Sequence, residues 1–241
     1  MTAMGRHFLN LDVISKNDLR SIIDTAKDLK NGIASLDQPL AGKALAMIFE
    51  KPSTRTRVSF EIGMKQLGGD VVVLNSSELQ IGRGETIADT AKVLSRYVDC
   101  IMMRTYEHEK ISELAKFSTV PVINGLTNSS HPCQLLADVM TFEEHVGPIQ
   151  GKTIAWSGDG NNMASSWIHA AVKFDFNLRI ACPKEQTPHL ELFEWANKNN
   201  GSVELFNEPS EAIKNADCVV TDTWTSMGDN AADPVSYTHL R

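Results

Sequence analysis

Short apolar runs alternate with amphipathic stretches along nearly the whole chain, and this limits what it can fold into. Ala44–Phe49, Val71–Leu74, Cys100–Met103 and Pro121–Asn124 read as buried strands. Before them, Leu19, Ile22, Ile23, Ala26 and Leu29 recur at helical spacing behind a Ser15–Asp18 capping box. Between and after them come helices carrying Val58, Ile62 and Leu67, then Ile87, Ala91, Leu94 and Val98, then Ile111–Phe117. His131–His145 is a longer helix stopped by Gly147-Pro148. A second series starts at Gly151, with strands Lys152–Ser157, Leu178–Cys182, Val203–Phe206 and Cys218–Asp222. Its helices are Asn162–Lys173, Pro188–Asn199 and Pro209–Asn215.

Such alternation with buried strands predicts an α/β fold of two domains, each a parallel β-sheet flanked by helices. The break near Gly147 sets the domains at residues 1–147 and 148–234, joined through the helix that begins at His131. The second domain reads as incomplete, because no closing helix follows its last strand. Val235–Arg241 fits no element and reads as the translated end of a sequencing adaptor, an artefactual tail at residues 235–241; an ordinary polar tail is the alternative. There is no internal repeat and no low-complexity segment.

The charge balance narrows the partners. With 23 basic and 30 acidic residues among 241, the net charge is −7, which argues against nucleic acid or an anionic membrane as the main partner. A local basic pocket for a small anion stays open. Cys100, Cys133, Cys182 and Cys218 form no C-x-x-C pair and suit neither a zinc site nor a disulfide framework. A reducing cytoplasm is the simplest compartment. Met1–Leu11 carries no apolar signal core, and no apolar run approaches a membrane span.

The most informative stretch is Phe49-Glu-Lys-Pro-Ser-Thr-Arg-Thr-Arg-Val-Ser-Phe60. A strand ends at Phe49 and a helix begins near Ser53. Hydroxyls and arginines therefore gather where free backbone N–H groups and the positive end of the helix dipole converge. That is a phosphate site without a glycine-rich loop. The plainer reading is a helix cap with surface arginines.

Pro52-Ser-Thr-Arg-Thr-Arg57 and His131-Pro-Cys-Gln134, in that order and with Arg104 between them at a strand end, resemble the two motifs of the aspartate/ornithine carbamoyltransferase family. The resemblance covers nearly the whole chain. Asp222-Thr-Trp-Thr-Ser-Met-Gly228 resembles the Asp-x-x-x-Ser-Met-Gly loop of its ornithine branch, and Gly158-Asp-Gly-Asn-Asn-Met163 that branch's ornithine-binding turn. Gln80 lies in a loop where the aspartate branch would offer a lysine. Read without the resemblance, Gly158–Asn162 is a plain strand-to-helix turn or a broken dinucleotide fingerprint.

The resemblance implies carbamoyl transfer from carbamoyl phosphate to the δ-amine of L-ornithine, with no metal and no organic cofactor. By it, Ser53, Thr54, Arg55 and Thr56 hold the phosphate, and Thr56 also reaches the carbonyl. Arg104 bridges phosphate and carbonyl oxygen. His131 donates to that oxygen, and Gln134 holds the carbamoyl NH₂. Gln80 reaches a neighbour's site in a homotrimer or a multiple of trimers. Asn162 takes the α-carboxylate of ornithine, Asp222 and Ser226 its α-ammonium, and the Met227 backbone assists. Cys133 is a packing residue, and His108, His145, His169 and His189 show no ligand spacing. The family's chains continue with a His-Cys-Leu-Pro segment, a further arginine and a terminal helix, so this sequence reads as C-terminally truncated and less active as written. The alternatives are a carbamoyl-phosphate-binding paralogue or fragment without turnover, and a carbamoyltransferase for N-acetylornithine, putrescine or aspartate. Arginine biosynthesis and arginine catabolism are equally compatible.

Overall fold

A computed structural model of the chain describes residues 7–33, 37–75 and 84–222. Two compact units emerge: residues 1–14 with 21–133, and residues 15–20 with 134–241.

The first unit is built on β1 (Ala44–Phe49), α2 (Thr54–Gln66), β2 (Asp70–Asn75), α3 (Ile87–Leu94), β3 (Cys100–Arg104), α4 (His108–Phe117) and β4 (Val122–Leu126). The helix α1 (Lys16–Lys30) precedes them, and α5 (Pro132–His145) follows. Ser15 Oγ accepts the Asp18 N–H at 3.0 Å and so starts α1. The four strands are parallel, in the order β2-β1-β3-β4. Successive residues of β1 serve opposite faces of the sheet. Ala46 and Ile48 join Ile101, Met103, Ala91, Ile111 and Leu114 in one core cluster. Leu45, Met47 and Phe49 join Met102 in the other, against which Phe60 and Met64 pack. A strand buried on both faces shows no polar alternation, which is why these runs read as continuous apolar stretches.

Helix α2 departs from the expectation. Val58 and Ile62 are 52% and 46% exposed. The inward pair is Phe60 and Met64, a second i, i+4 row about 200° further round the helix. Periodicity alone does not choose between two such rows. Outside the ladder, Phe8 bridges Ile123 in parallel and lies along the outer edge of β4.

The second unit contains β5 (Thr153–Ser157), α6 (Asn162–Phe174), β6 (Asn177–Ala181), α7 (Leu190–Lys198), β7 (Ser202–Phe206), α8 (Pro209–Ala212) and β8 (Cys218–Val220). Its sheet is also parallel, in the order β7-β6-β5-β8. Most of α6 is buried, and Trp167 meets Phe176 edge-on at 5.8 Å between ring centroids. Several elements are shorter than expected, among them α3, which stops at Leu94 short of Val98, and α7, which spans Leu190–Lys198. Asn215, at φ 60°, lies beyond the helical region, and α8 stops at Ala212. β8 leaves its ladder after Val220, so Thr221 and Asp222 sit beyond the sheet.

Both sheets have a point where successive connections leave in opposite directions. In the first it lies between β1 and β3, in the second between β5 and β8. Ligands of open α/β sheets bind outside the carboxyl ends of strands at such points.

Candidate active site

The carboxyl ends of β1 and β3 carry the first cluster. Phe49 and Arg104 are register partners, so the Ser53 turn and Arg104 emerge side by side. Ser53 caps α2 in an extended conformation, with its hydroxyl accepting the Thr56 N–H at 3.3 Å. The same hydroxyl donates to Thr56 Oγ1 at 2.9 Å, and Arg104 Nη1 donates to that oxygen at 3.3 Å. Thr54 and Arg55 lie exposed on the first turn of α2.

Arg104 is 2% exposed, and its Nε is buried with no hydrogen-bond partner among the described residues. Burial, and then the charge of Arg55, lower its pKa. A desolvated cation facing another cation is costly unless an anion joins them. His131 stands just before Pro132, the first residue of α5. Burial first and the Arg104 charge second push its pKa down to about 4, so the imidazole is neutral at physiological pH. A neutral ring keeps one N–H to donate and adds no further positive charge.

Around this cluster lie residues that sequence reasoning missed. Lys51 is 5% exposed, donates to Asn128 Oδ1 at 3.1 Å and stands 4.8 Å from the Tyr106 ring centroid. Glu50 accepts from the Thr105 hydroxyl and pairs with Lys110 at 3.1 Å. Its own N–H donates to the Arg104 carbonyl at 2.9 Å. The signal for Lys51 was its place inside a loop that directly follows a buried strand.

The second unit holds the other cluster. Gln134, exposed on the first turn of α5, donates through Nε2 to Asp138 Oδ1 at 2.9 Å. Burial, opposed by that hydrogen bond, raises the Asp138 pKa, and the charge of Asp222 adds to the rise. Asn162 opens α6, and Asn161 caps it. The loop before them is pinned by Trp156 Nε1, which donates to the Asp159 carbonyl at 3.0 Å. A Cβ on Gly160 would lie 2.3 Å from the Pro188 backbone nitrogen, so the second glycine of the turn is there for close packing of two loops. Asp222 comes within 2.9 Å of Asn161 Nδ2. Gln80, Ser226, Met227 and the tail 235–241 lie outside the described residues.

Cys133 belongs to the packing: its thiol meets the Asn124 carbonyl at 3.4 Å, and burial pushes its pKa up to about 12. His108 contacts Thr127 Oγ1 at 3.2 Å, and His169 packs edge-on against Trp195.

Residues 6–144 match the carbamoyl-P binding domain of aspartate/ornithine carbamoyltransferases, and residues 150–241 match the Asp/Orn binding domain. The chain belongs to the aspartate/ornithine carbamoyltransferase family. An ornithine carbamoyltransferase of Nitrobacter winogradskyi is 57% identical over 233 residues, covering 95% of this chain and 75% of that protein. One from Brucella ovis is 56% identical over 225 residues, covering 92% and 72%. Among solved structures, the ornithine carbamoyltransferase of Pyrococcus furiosus superposes with a TM-score of 0.92 at 46% identity. That match covers all of this chain and 79% of the other. The anabolic ornithine carbamoyltransferase of Campylobacter jejuni gives 0.89 at 39% identity, over 98% and 78%. The chain thus spans about three quarters of the curated carbamoyltransferases it matches.

Proposed function

We propose that this chain transfers the carbamoyl group of carbamoyl phosphate to the δ-amine of L-ornithine, giving L-citrulline and phosphate. The observation that carries the reading is the buried Arg104, held against Thr56 beside the Ser53 cap and the neutral His131. Ser53, Thr54, Arg55 and Thr56 cradle the phosphate at the start of α2, where backbone N–H groups and the dipole favour an anion. Arg104 spans the phosphate and the carbamoyl oxygen.

The neutral δ-amine attacks the carbamoyl carbon. A C–N bond forms, the carbonyl oxygen takes the negative charge, and the C–O bond to phosphate then breaks. The amine proton leaves with the phosphate. Arg104 and the His131 N–H meet the oxyanion, a task that oriented donors in a dry site perform without reorganising. Gln134 accepts from the carbamoyl NH₂, and Gln80 contacts carbamoyl phosphate in a neighbouring copy of a homotrimer. Asn162 and the Met227 backbone take the α-carboxylate of ornithine, Asp222 and Ser226 its α-ammonium. The ornithine names of the relatives at 54–57% identity favour this amine over aspartate. The reading places the chain in arginine metabolism in the cytoplasm.

A colorimetric citrulline assay tests this. Citrulline should form from carbamoyl phosphate and L-ornithine, with no carbamoylaspartate from L-aspartate. Faster carbamoylation of aspartate, or carbamoyl-phosphate binding without turnover of either amine, would overturn it.

A further inference from the structure

We propose that Asn161 is a positioning residue for substrate recognition, acting by holding the Asp222 carboxylate at the mouth of the second sheet. The inference rests on the reading above in which Asp222 receives the α-ammonium of ornithine. β8 ends at Val220, so no ladder hydrogen bond fixes Asp222 two residues later. Asn161 supplies the tie across 61 residues of sequence, donating through Nδ2 to Asp222 Oδ2 at 2.9 Å.

The amide is anchored from both ends. Its Oδ1 accepts the Met163 and Ala164 N–H groups at 2.8 and 3.2 Å, which sets it on the start of α6. Its Nδ2 gives a second hydrogen bond to Asp159 Oδ1 at 3.2 Å. A flipped amide would point its oxygen at two carboxylates and its NH₂ at two N–H donors, so only one orientation fits. The NH₂ therefore stands between two negative groups that would otherwise repel. Without it Asp222 swings away from Asp159, and the ammonium loses its oriented partner. The cap and the carboxylate are thus one device: the most buried helix of the second unit, which is α6, carries the reference frame for the amino acid.

Serine is a good cap without an amide NH₂, so Asn161→Ser keeps the helix start and deletes the tie. L-Ornithine Kd is measured by calorimetry with inorganic phosphate present, on the unaltered chain, Asn161→Ser, Asp222→Ala and the double variant. Asp222→Ala and Asn161→Ser should each weaken ornithine by about tenfold or more, as for loss of a hydrogen bond to a charged group. In the double variant Asn161→Ser should add less than about twofold, because its effect runs through Asp222. Phosphate affinity, read in the same cell, should stay unchanged in all four. Full-strength ornithine binding by Asn161→Ser, or additive losses in the double variant, would overturn the positioning role. Undiminished ornithine binding by Asp222→Ala, or none by the unaltered chain, would overturn the reading of Asp222, and the inference with it.

Discussion

The carboxyl ends of β1 and β3 and those of β5 and β8 are the switch points of two parallel four-stranded sheets of different strand order, and they are electrostatic opposites. The first gathers Arg55, a buried Arg104 and Lys51 beside a histidine kept neutral. The second gathers Asp138, Asp159 and Asp222 around amides. The two helix starts differ in the same sense. Ser53 takes one N–H of α2 at 3.3 Å, whereas Asn161 takes two of α6 at 2.8 and 3.2 Å. An α/β switch point supplies only a crevice and a helix end. The side chains of the two turns decide whether it calls for an anion or a cation.

The largest expected effect comes from Arg104. Arg104→Ala should lower kcat/KM for carbamoyl phosphate by about 10³-fold, because a fixed charge at the developing oxyanion disappears from a desolvated site. Steady-state kinetics with each substrate varied would show the loss. A drop confined to ornithine KM would break the assignment of anion chemistry to the first sheet. Next, Gly160→Ala forces a methyl group into the Pro188 backbone. Ornithine KM should rise about tenfold and stability should fall by about 1–3 kcal/mol, while KM for carbamoyl phosphate holds. Parallel KM measurements and urea denaturation separate the two sheets in one variant.

A smaller effect follows from His131. Its pKa falls from 6.5 unfolded to about 4 folded, so the unfolded chain binds more protons between those values. The contribution is fully present above about pH 6.5 and is lost as pH falls towards 4, by about 2 kcal/mol at pH 5 and about 3 kcal/mol at pH 4. Urea midpoints at pH 7.5 and 5 should therefore converge in His131→Asn relative to the unaltered chain. For the same reason kcat/KM for carbamoyl phosphate should show no inflection near pH 6.5. Cys133→Ala should do least, costing about 1 kcal/mol of stability with kcat within about twofold, as suits a buried thiol outside the chemistry. Inactivation of the chain by a thiol reagent at Cys133 would show that the packing assignment is wrong.

Much of the fold was legible because β1 and β3 of the first sheet are buried on both faces and α2 and α3 are capped by local residues. Ser53 and Ser15 could be read as caps since a cap and its N–H partner lie within three residues. The inward face of α2 was not legible, because Val58–Ile62 and Phe60–Met64 are equally good helical rows. Nor was the second task of Asn161, since its partner Asp222 becomes a neighbour only when β8 lies beside β5. Lys51 was hidden for a related reason. Its burial depends on Tyr106 and Asn128, which arrive on the loops after β3 and β4.

The segment at Phe8 has a bearing on how the chain behaves in solution. Phe8 N–H donates to the Val122 carbonyl and the Asn124 N–H to the Phe8 carbonyl, each at 2.8 Å, closing the outer edge of β4. The Val122 N–H donates to His7 Nδ1 at 3.1 Å, a bond only the neutral ring accepts, and burial lowers the pKa of His7. Acid protonates that nitrogen and unfastens one stitch of the strap. An open β edge is a template for pairing with another chain. Storage below the histidine range therefore favours aggregation that starts at β4, and trimming the chain past Phe8 would do the same at neutral pH.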